Sequence, residues 1–357
     1  MVKVAVISLG SLSSKWTIDA MKKYFDEVDD INIKDIEINF SGKTAEVLYR
    51  GKPLKNYDCI YAKGSFRYAQ LLRTLTTLLD GKCYMPIVPN AYTIAHDKLL
   101  TQLMFQQHNI PMPKTYISST INAARELLKN LNYPIIMKFP QGTQGKGVMF
   151  ADSFGSASSI LDALSALKQS FVIQEYIETG NCDVRAFVIG DKVVASMARK
   201  GKPEEKRANI HAGGVGEPII LDAETKEICV KAAKATGTEI CGVDLLDSGR
   251  GYVVIETNIS PGLQGITKTT KIDLADKIAL FLHKKTIEWL TKKDDLNKHV
   301  VLADINEEGM LITNVDFRGT RILLPEIVTK STKISLMDQV EITMKKGEIN
   351  IKKFDVK

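Results

Sequence analysis

Apolar and polar positions recur along this chain with two different periods, and the points where the period changes mark its elements. Val2–Leu9 is a nearly continuous apolar run and predicts a buried strand. Trp16–Phe25 has helical spacing, Ile31–Phe40 alternates weakly, Tyr57–Ala62 predicts a strand and Arg67–Leu79 an amphipathic helix. Strands alternating with helices predict a small open α/β domain with a parallel sheet over residues 1–95. A helix over His96–His108 stops at Pro111 and Pro113, which cannot continue it. Residues 114–173 then read strand, helix, strand, Gly-rich loop, strand, helix, strand, so 96–180 is expected to be an α+β lobe.

A third block, 181–292, repeats the mixed pattern. Val184–Ile189 and Lys192–Met197 flank Gly190-Asp191, a hairpin signal. A helix over Thr225–Thr236, strands over Ile240–Leu246 and Tyr252–Glu256, and a final amphipathic helix over Leu274–Leu290 complete it. The charged run Lys292-Lys293-Asp294-Asp295 is then expected to end the core. Beyond it, residues 299–357 hold short alternating runs and Gly turns, which predict a β-rich appendage. The fold class is thus α/β and α+β in three parts, with a small C-terminal addition.

Composition excludes more than it selects. With 44% hydrophobic and 25% charged residues the chain is neither disordered nor a disulfide-dependent miniature. No apolar run approaches the roughly 20 residues of a membrane span, and the N-terminus lacks the pattern of a signal peptide. A cytoplasmic location with no membrane partner is expected. The net charge of +6 comes from interspersed residues, so direct nucleic-acid binding is not expected. Five cysteines without a CxxC pair predict reduced, mostly buried thiols. No HxxxH or HExxH pair and no Ser/His/Asp or Cys/His nucleophile pair is evident.

Three constellations carry chemistry. Asp244 lies inside an apolar strand, and Glu256 and Asn258 lie two apart near the end of the next. Side chains at i and i+2 of a strand share a face, so a hairpin would gather all three. Two carboxylates and an amide suit Mg²⁺, which takes few protein ligands and several substrate oxygens. Lys138 ends another strand and is followed by Gly142, Thr143, Gly145 and Gly147. Such a loop can close backbone amides over phosphates while the lysine adds charge; neither the P-loop order nor GxGxxG is present. Gln174-Glu175-Tyr176-Ile177 ends a strand just before a new block, as a hinge reading an adenine edge would, with Asp183 and Arg185 close behind.

In order, Lys98, the Lys138 loop, Gln174-Glu175-Tyr176-Ile177, Cys182-Asp183-Val184-Arg185, Arg207-Ala208-Asn209-Ile210-His211, Gly242-Val243-Asp244-Leu245-Leu246 and the segment Glu256–Ile266 resemble the RimK-type ATP-grasp ligases. The resemblance covers about residues 1–292. It implies a three-part ATP-grasp fold, with an N-terminal domain over 1–95 and two lobes, 96–180 and 181–292, clasping ATP. It implies that Lys98 and Lys138 contact ATP phosphates, that Glu175 and Tyr176 form the adenine hinge, that Asp183 contacts the nucleotide, and that Gly142, Thr143, Gly145 and Gly147 form the lid. Arg207 and Asn209 match a polar cluster at the phosphate end. Arg199-Lys200 supplies a basic pair near the expected acceptor cleft, so Arg207 and Arg199 are the expected catalytic cations. Asp244, Glu256 and Asn258 match the magnesium ligands, with Mn²⁺ an alternative metal. Nothing in the local pattern alone singles out Lys98.

The activity implied is an ATP-dependent carboxylate–amine ligase that forms an amide through an acyl phosphate and releases ADP and phosphate. The expected substrates are an amino acid, glutamate first, and a carboxylate-bearing acceptor, either a protein or peptide C-terminus or a small molecule. Relatives of this type glutamylate coenzymes or ligate amino-group carrier proteins, and a nucleotide-sensing binding protein is the non-enzymatic alternative. A homo-oligomer is expected. Ala212 stands where the ligase of a ribosomal protein has a second arginine after its histidine, so acceptor specificity does not carry over by position.

Overall fold

The computed structural model describes residues 1–140, 147–201, 215–303, 316–318, 321–324, 328, 332–335 and 338–354. It falls into two units, Met1–Ile287 and Glu288–Lys357.

The first unit opens with β1 (Lys3–Ser8), α1 (Leu12–Met21) and β2 (Glu27–Asn32). Ser11 caps α1 by accepting from the Ser14 amide. The chain then forms an antiparallel sheet of β3 (Ile36–Ser41), β4 (Thr44–Tyr49) and β5 (Lys52–Pro53) before returning as β6 (Cys59–Ala62). The weak alternation of Ile31–Phe40 is therefore two strands split by a 3₁₀ turn at Ile33–Asp35. β1 is central in a parallel sheet of order β2-β1-β6. α2 (Ala69–Leu79) and α3 (Ala91–Ile94) follow, then α4 (Lys98–Gln107), whose first free amides are accepted by the Asp97 side chain.

The middle of the unit contains β7 (Thr115–Tyr116), α5 (Ile121–Lys129), β8 (Ile135–Lys138), β9 (Val148–Ala151), α6 (Phe154–Ala166) and β10 (Val172–Glu175). Its antiparallel sheet has order β7-β10-β8-β9, and Leu128, Met137, Leu161 and Ile173 lie in a core beneath it.

The third part contains β11 (Cys182–Ile189), β12 (Lys192–Lys200), β13 (Val215–Pro218), α7 (Ala223–Ala235), β14 (Ile240–Asp247) and β15 (Tyr252–Asn258) in the order β13-β12-β11-β14-β15. One face of this sheet packs Val184, Ala186, Val243 and Leu245 with Cys229 and Ala232 of α7. The other face is divided along its length. Phe187, Ile189 and Met197 join the core of the N-terminal sheet together with α8 (Gln264–Thr270) and the start of α9 (Leu274–Ala303). Continuing the same alternation, Arg185, Asp183 and Arg199 leave that core and carry charge. The site is therefore built where the apolar half of one sheet face ends.

α9 runs through the charged stretch Lys292–Asp295 to Ala303, longer than its apolar pattern predicts. No Gly or Pro occurs between Gly265 and Gly309, so nothing local stops it. Among the described residues of the second unit, β16 (Asp316–Arg318) pairs with β17 (Arg321–Leu323), and β18 (Val340–Lys345) with β19 (Glu348–Lys353) around Gly347, whose φ is 81°. All five cysteines are free thiols, four of them buried. No helix among the described residues is long and apolar enough to cross a membrane.

Candidate active site

A cavity of about 590 Å³ opens within the first unit and is lined from all three of its parts. Ser8 and Lys63 come from the N-terminal sheet, Lys98 from the first turn of α4, Lys138, Glu175 and Tyr176 from the middle sheet, and Asp183, Arg185, Asp244, Glu256 and Asn258 from the third.

Strand register explains how the third sheet gathers its charges. Asp244 on β14 lies directly across from Glu256 on β15, and Gly242 across from Asn258. The next pair is Leu245 with Val254, so Ile255 is an extra residue and β15 bulges beside the two acids. On the other side of β14, Asp244 faces Arg185, and on the next ladder Asp183 faces Arg199. Arg185 grips Asp244 with two hydrogen bonds, Nε to Oδ1 at 2.7 Å and Nη2 to Oδ2 at 2.6 Å. Arg199 grips Asp183 in the same bidentate way at 2.6 and 2.7 Å, and its Nη2 also reaches Asp244 Oδ2 at 3.0 Å. The arginines make the planar two-point contact that a lysine could not.

Protonation follows from these contacts. Burial alone would raise the Asp244 carboxyl, but Arg185 and Arg199 hold it well below the ordinary carboxylate range. Burial holds Asp183 above that range, against the pull of Arg199. Glu256 has no ion-pair partner within 4 Å among the described residues. Its side chain is open to the cavity, yet protein surrounds it at a distance. Desolvation and the neighbouring Asp244 charge therefore raise its carboxyl, opposed by Arg185, Lys98 and Lys138. Burial pushes Lys138 down to about 8, with Glu256 opposing and Lys98 reinforcing. The Lys138 ammonium donates to Gln174 Oε1, and Gln174 Nε2 donates to Thr115, which fixes the lysine over the cavity. Lys98 is also lowered by burial, against the attraction of Glu256.

Glu175 and Tyr176, the expected hinge residues, make structural contacts of their own. Glu175 Oε1 accepts from the Lys114 amide at 2.8 Å, while the Glu175 amide donates to the Lys114 carbonyl. Tyr176 stands edge-on to Phe150 at 5.2 Å. Gly147 adopts a φ of 79°, and a Cβ there would fall 2.2 Å from the Phe139 ring, so only glycine fits. Gly142, Thr143, Gly145, Arg207 and Asn209 lie outside the described residues. Of the expected basic pair, Arg199 belongs to the cavity, whereas Lys200 points to the opposite side of β12 and pairs with Glu217 at 3.0 Å. The role of Arg185 was not legible beforehand, although its place two residues after Asp183 put it on the same strand face.

The donor set fits a magnesium ion. Asp244 Oδ1 accepts one hydrogen bond and retains a second lone pair, Glu256 has an unpaired carboxylate, and Asn258 Oδ1 accepts only the Ser260 amide among the described residues. Among those residues no cluster of three or more His, Cys, Asp or Glu forms, so the amide of Asn258 is needed to complete a three-ligand set.

A β-sheet lobe carrying Lys138, a charged second lobe and a cleft between them define the ATP-grasp class. The model of the RimK-like ATP-grasp domain matches residues 95–282. A probable alpha-L-glutamate ligase of Vibrio cholerae is 34% identical over 298 residues, covering 81% of this chain and 98% of the relative. One from Shewanella loihica is 36% identical over 265 residues, covering 72% and 87%. Among solved structures, the ATP-grasp ligase PsnB in complex with minimal precursor, Mg and ADP superposes with a TM-score of 0.62 at 17% identity, covering 80% of this chain and 98% of that one. A RimK domain ATP-grasp protein of Sphaerobacter thermophilus gives 0.60 at 17% identity, covering 78% and 99%. The chain belongs to the RimK-like ATP-grasp family.

Proposed function

We propose that this protein is an ATP-dependent carboxylate–amine ligase that adds glutamate, or another amino acid, to the carboxylate of a protein or peptide acceptor. The observation that carries the reading is the convergence, in one cavity, of Lys98 and Lys138 from one side with Asp244, Glu256 and Asn258 from the other. The names of the curated relatives support glutamate as the amino acid. The precursor peptides bound by PsnB support a peptide acceptor.

A carboxylate cannot expel hydroxide, so it must first be activated. An acceptor carboxylate oxygen attacks the γ-phosphorus of ATP, the bond to ADP breaks, and a mixed anhydride forms. Lys98 and Lys138 hold the phosphates and spread the charge that develops on them. Glu256, Asn258 and Asp244 would hold Mg²⁺, with Mn²⁺ as a substitute; bound there, the ion neutralises phosphate charge as a Lewis acid. Arg185 and Arg199 fix Asp244 in orientation and keep it ionised. The Glu175–Tyr176 strand end offers backbone groups to the adenine. The Gly142–Gly147 segment and Arg207 with Asn209 would cover the phosphates and exclude water. The amine of the amino acid then attacks the acyl carbon, phosphate leaves, and the ammonium proton passes to solvent.

The test is mass spectrometry of peptide and small-molecule acceptors incubated with enzyme, ATP, Mg²⁺ and each amino acid. The reading expects an ATP-dependent glutamyl addition to a peptide, with ADP as the nucleotide product. A coenzyme-like acceptor modified in place of every peptide would move the assignment to the small-molecule branch.

A further inference from the structure

The cavity extends beyond the groups used above to the carboxyl ends of β1 and β6. In the sheet order β2-β1-β6 the chain leaves β1 toward one side and returns as β6 on the other. Loops leaving the two strands therefore diverge, and the crevice between them is the place where open α/β sheets take their ligands. Leu9–Ser11 follows β1, and Lys63-Gly64-Ser65 follows β6. The Lys63 amide donates to the Ile7 carbonyl at 2.8 Å, so the two strand ends are locked side by side.

The groups at this end are balanced for an anion. Lys63 is only 5% exposed, lines the cavity, and has no carboxylate partner among the described residues. Among the described residues its ammonium stands over the Tyr61 ring, 5.4 Å from the ring centroid, a contact worth too little to offset burial of a charge. Burial accordingly pushes Lys63 down to about 8. His96 also lines the cavity, and its buried Nε2 has no hydrogen-bond partner among the described residues. α1 begins here, and the amides of Leu12 and Ser13 have no partner within the helix. Ser13 and Ser11 are held in place: Ser13 Oγ donates to Gln264 and accepts from Leu263, and Ser11 Oγ accepts from the Ser14 amide. No acidic residue among the described ones lines this N-terminal wall.

We propose that Lys63, His96 and the amino end of α1 form a carboxylate subsite that holds the non-reacting carboxylate of a substrate while its other end reacts near Lys138 and Glu256. The assignment rests on the ligase reading, because it supplies that reading with a place for the amino acid. Two sources have this chemistry: the α-carboxylate of the incoming amino acid, and a side-chain carboxylate beside the reacting end of the acceptor. The first is the α-carboxylate of glutamate, removed in its α-amide; the second is removed by placing Gln at the acceptor terminus in place of Glu.

The experiment compares kcat/KM for acid and amide of each source in the wild type, Lys63→Met and Lys63→Arg, with nucleotide affinity as a fold control. In the wild type one acid should be preferred over its amide by about tenfold or more, the scale of a charge-assisted hydrogen bond. Lys63→Met should erase that preference, Lys63→Arg should restore most of it, and nucleotide affinity should stay unchanged. The pair whose ratio collapses identifies the source. An acid-to-amide ratio that survives Lys63→Met in both pairs overturns the subsite while leaving the ligase standing. If the wild type makes no ADP with any pair, the ligase reading fails, and calorimetry with L-glutamate decides the subsite alone. Binding weakened about tenfold by Lys63→Met upholds it, and equal or absent binding overturns it.

Discussion

Two ends of one cavity are buried alike and balanced differently. On the third sheet, Asp183, Arg199, Arg185 and Asp244 form a closed set in which every charge meets an opposite one at 2.6 to 3.0 Å. At the N-terminal end, Lys63 is equally sequestered but, among the described residues, its ammonium meets only an aromatic face. The first arrangement spends its electrostatics on itself and fixes geometry. The second leaves a charge, a histidine nitrogen and helix amides without partners among the described residues, so a ligand would gain what the fold does not use. Glu256 stands between the two cases: it is surrounded by cations but bonded to none within 4 Å among the described residues.

The comparison can be broken by mutation, beginning with the closed set. Arg185→Ala should cost about 3–5 kcal/mol of folding stability, because it strands Asp244 without its main partner; urea unfolding measures it. A loss under 1 kcal/mol would show that the network is not holding the sheet.

Glu256→Ala should behave in the opposite way. Turnover should fall by about 10²–10³-fold, the scale of removing one preorganised electrostatic group. Stability should be unchanged or improved, since an unpaired carboxylate is removed. Thermal melts beside initial rates separate the two effects.

A smaller effect sharpens the Lys63 end. With its ammonium held near 8, the unfolded chain binds a proton between about pH 8 and 10.5 that the folded chain does not. Stability therefore gains with rising pH over that window. Buried thiols and tyrosines such as Cys241 and Tyr61, raised by burial, pull the other way. The readable quantity is wild type minus Lys63→Met, which should climb by up to about 1.4 kcal/mol per pH unit above pH 8 and stay flat below it. A flat difference throughout would mean that Lys63 is solvated.

The smallest effect belongs to exposed pairs. Lys129→Ala, which breaks the contact with Glu126 at 2.7 Å, should change stability by less than about 0.5 kcal/mol. A larger loss would mean that burial is not what separates the two kinds of charge.

Much of the fold was legible because each part has its own apolar period. The Asp244, Glu256 and Asn258 grouping could be read because i, i+2 alternation and a hairpin determine it. The β3–β5 sheet was hidden because short strands exposed on one side alternate weakly, and α9 overran its apolar pattern because charged residues without Gly or Pro remain helical. Arg185 and Lys63 were missed for one reason: their roles depend on neighbours distant in sequence. A signal for Lys63 did exist, since it ends the apolar strand Cys59–Ala62 as Lys138 ends Ile135–Met137.

The central claim is that the cavity makes an acyl phosphate, and oxygen transfer tests it most directly. An acceptor labelled with ¹⁸O in its reacting carboxylate is ligated with ATP and L-glutamate, and the phosphorus products are analysed. The account predicts one ¹⁸O in inorganic phosphate, with ADP as the nucleotide product. Label in AMP, or amide formed with no label in any phosphorus product, would contradict it.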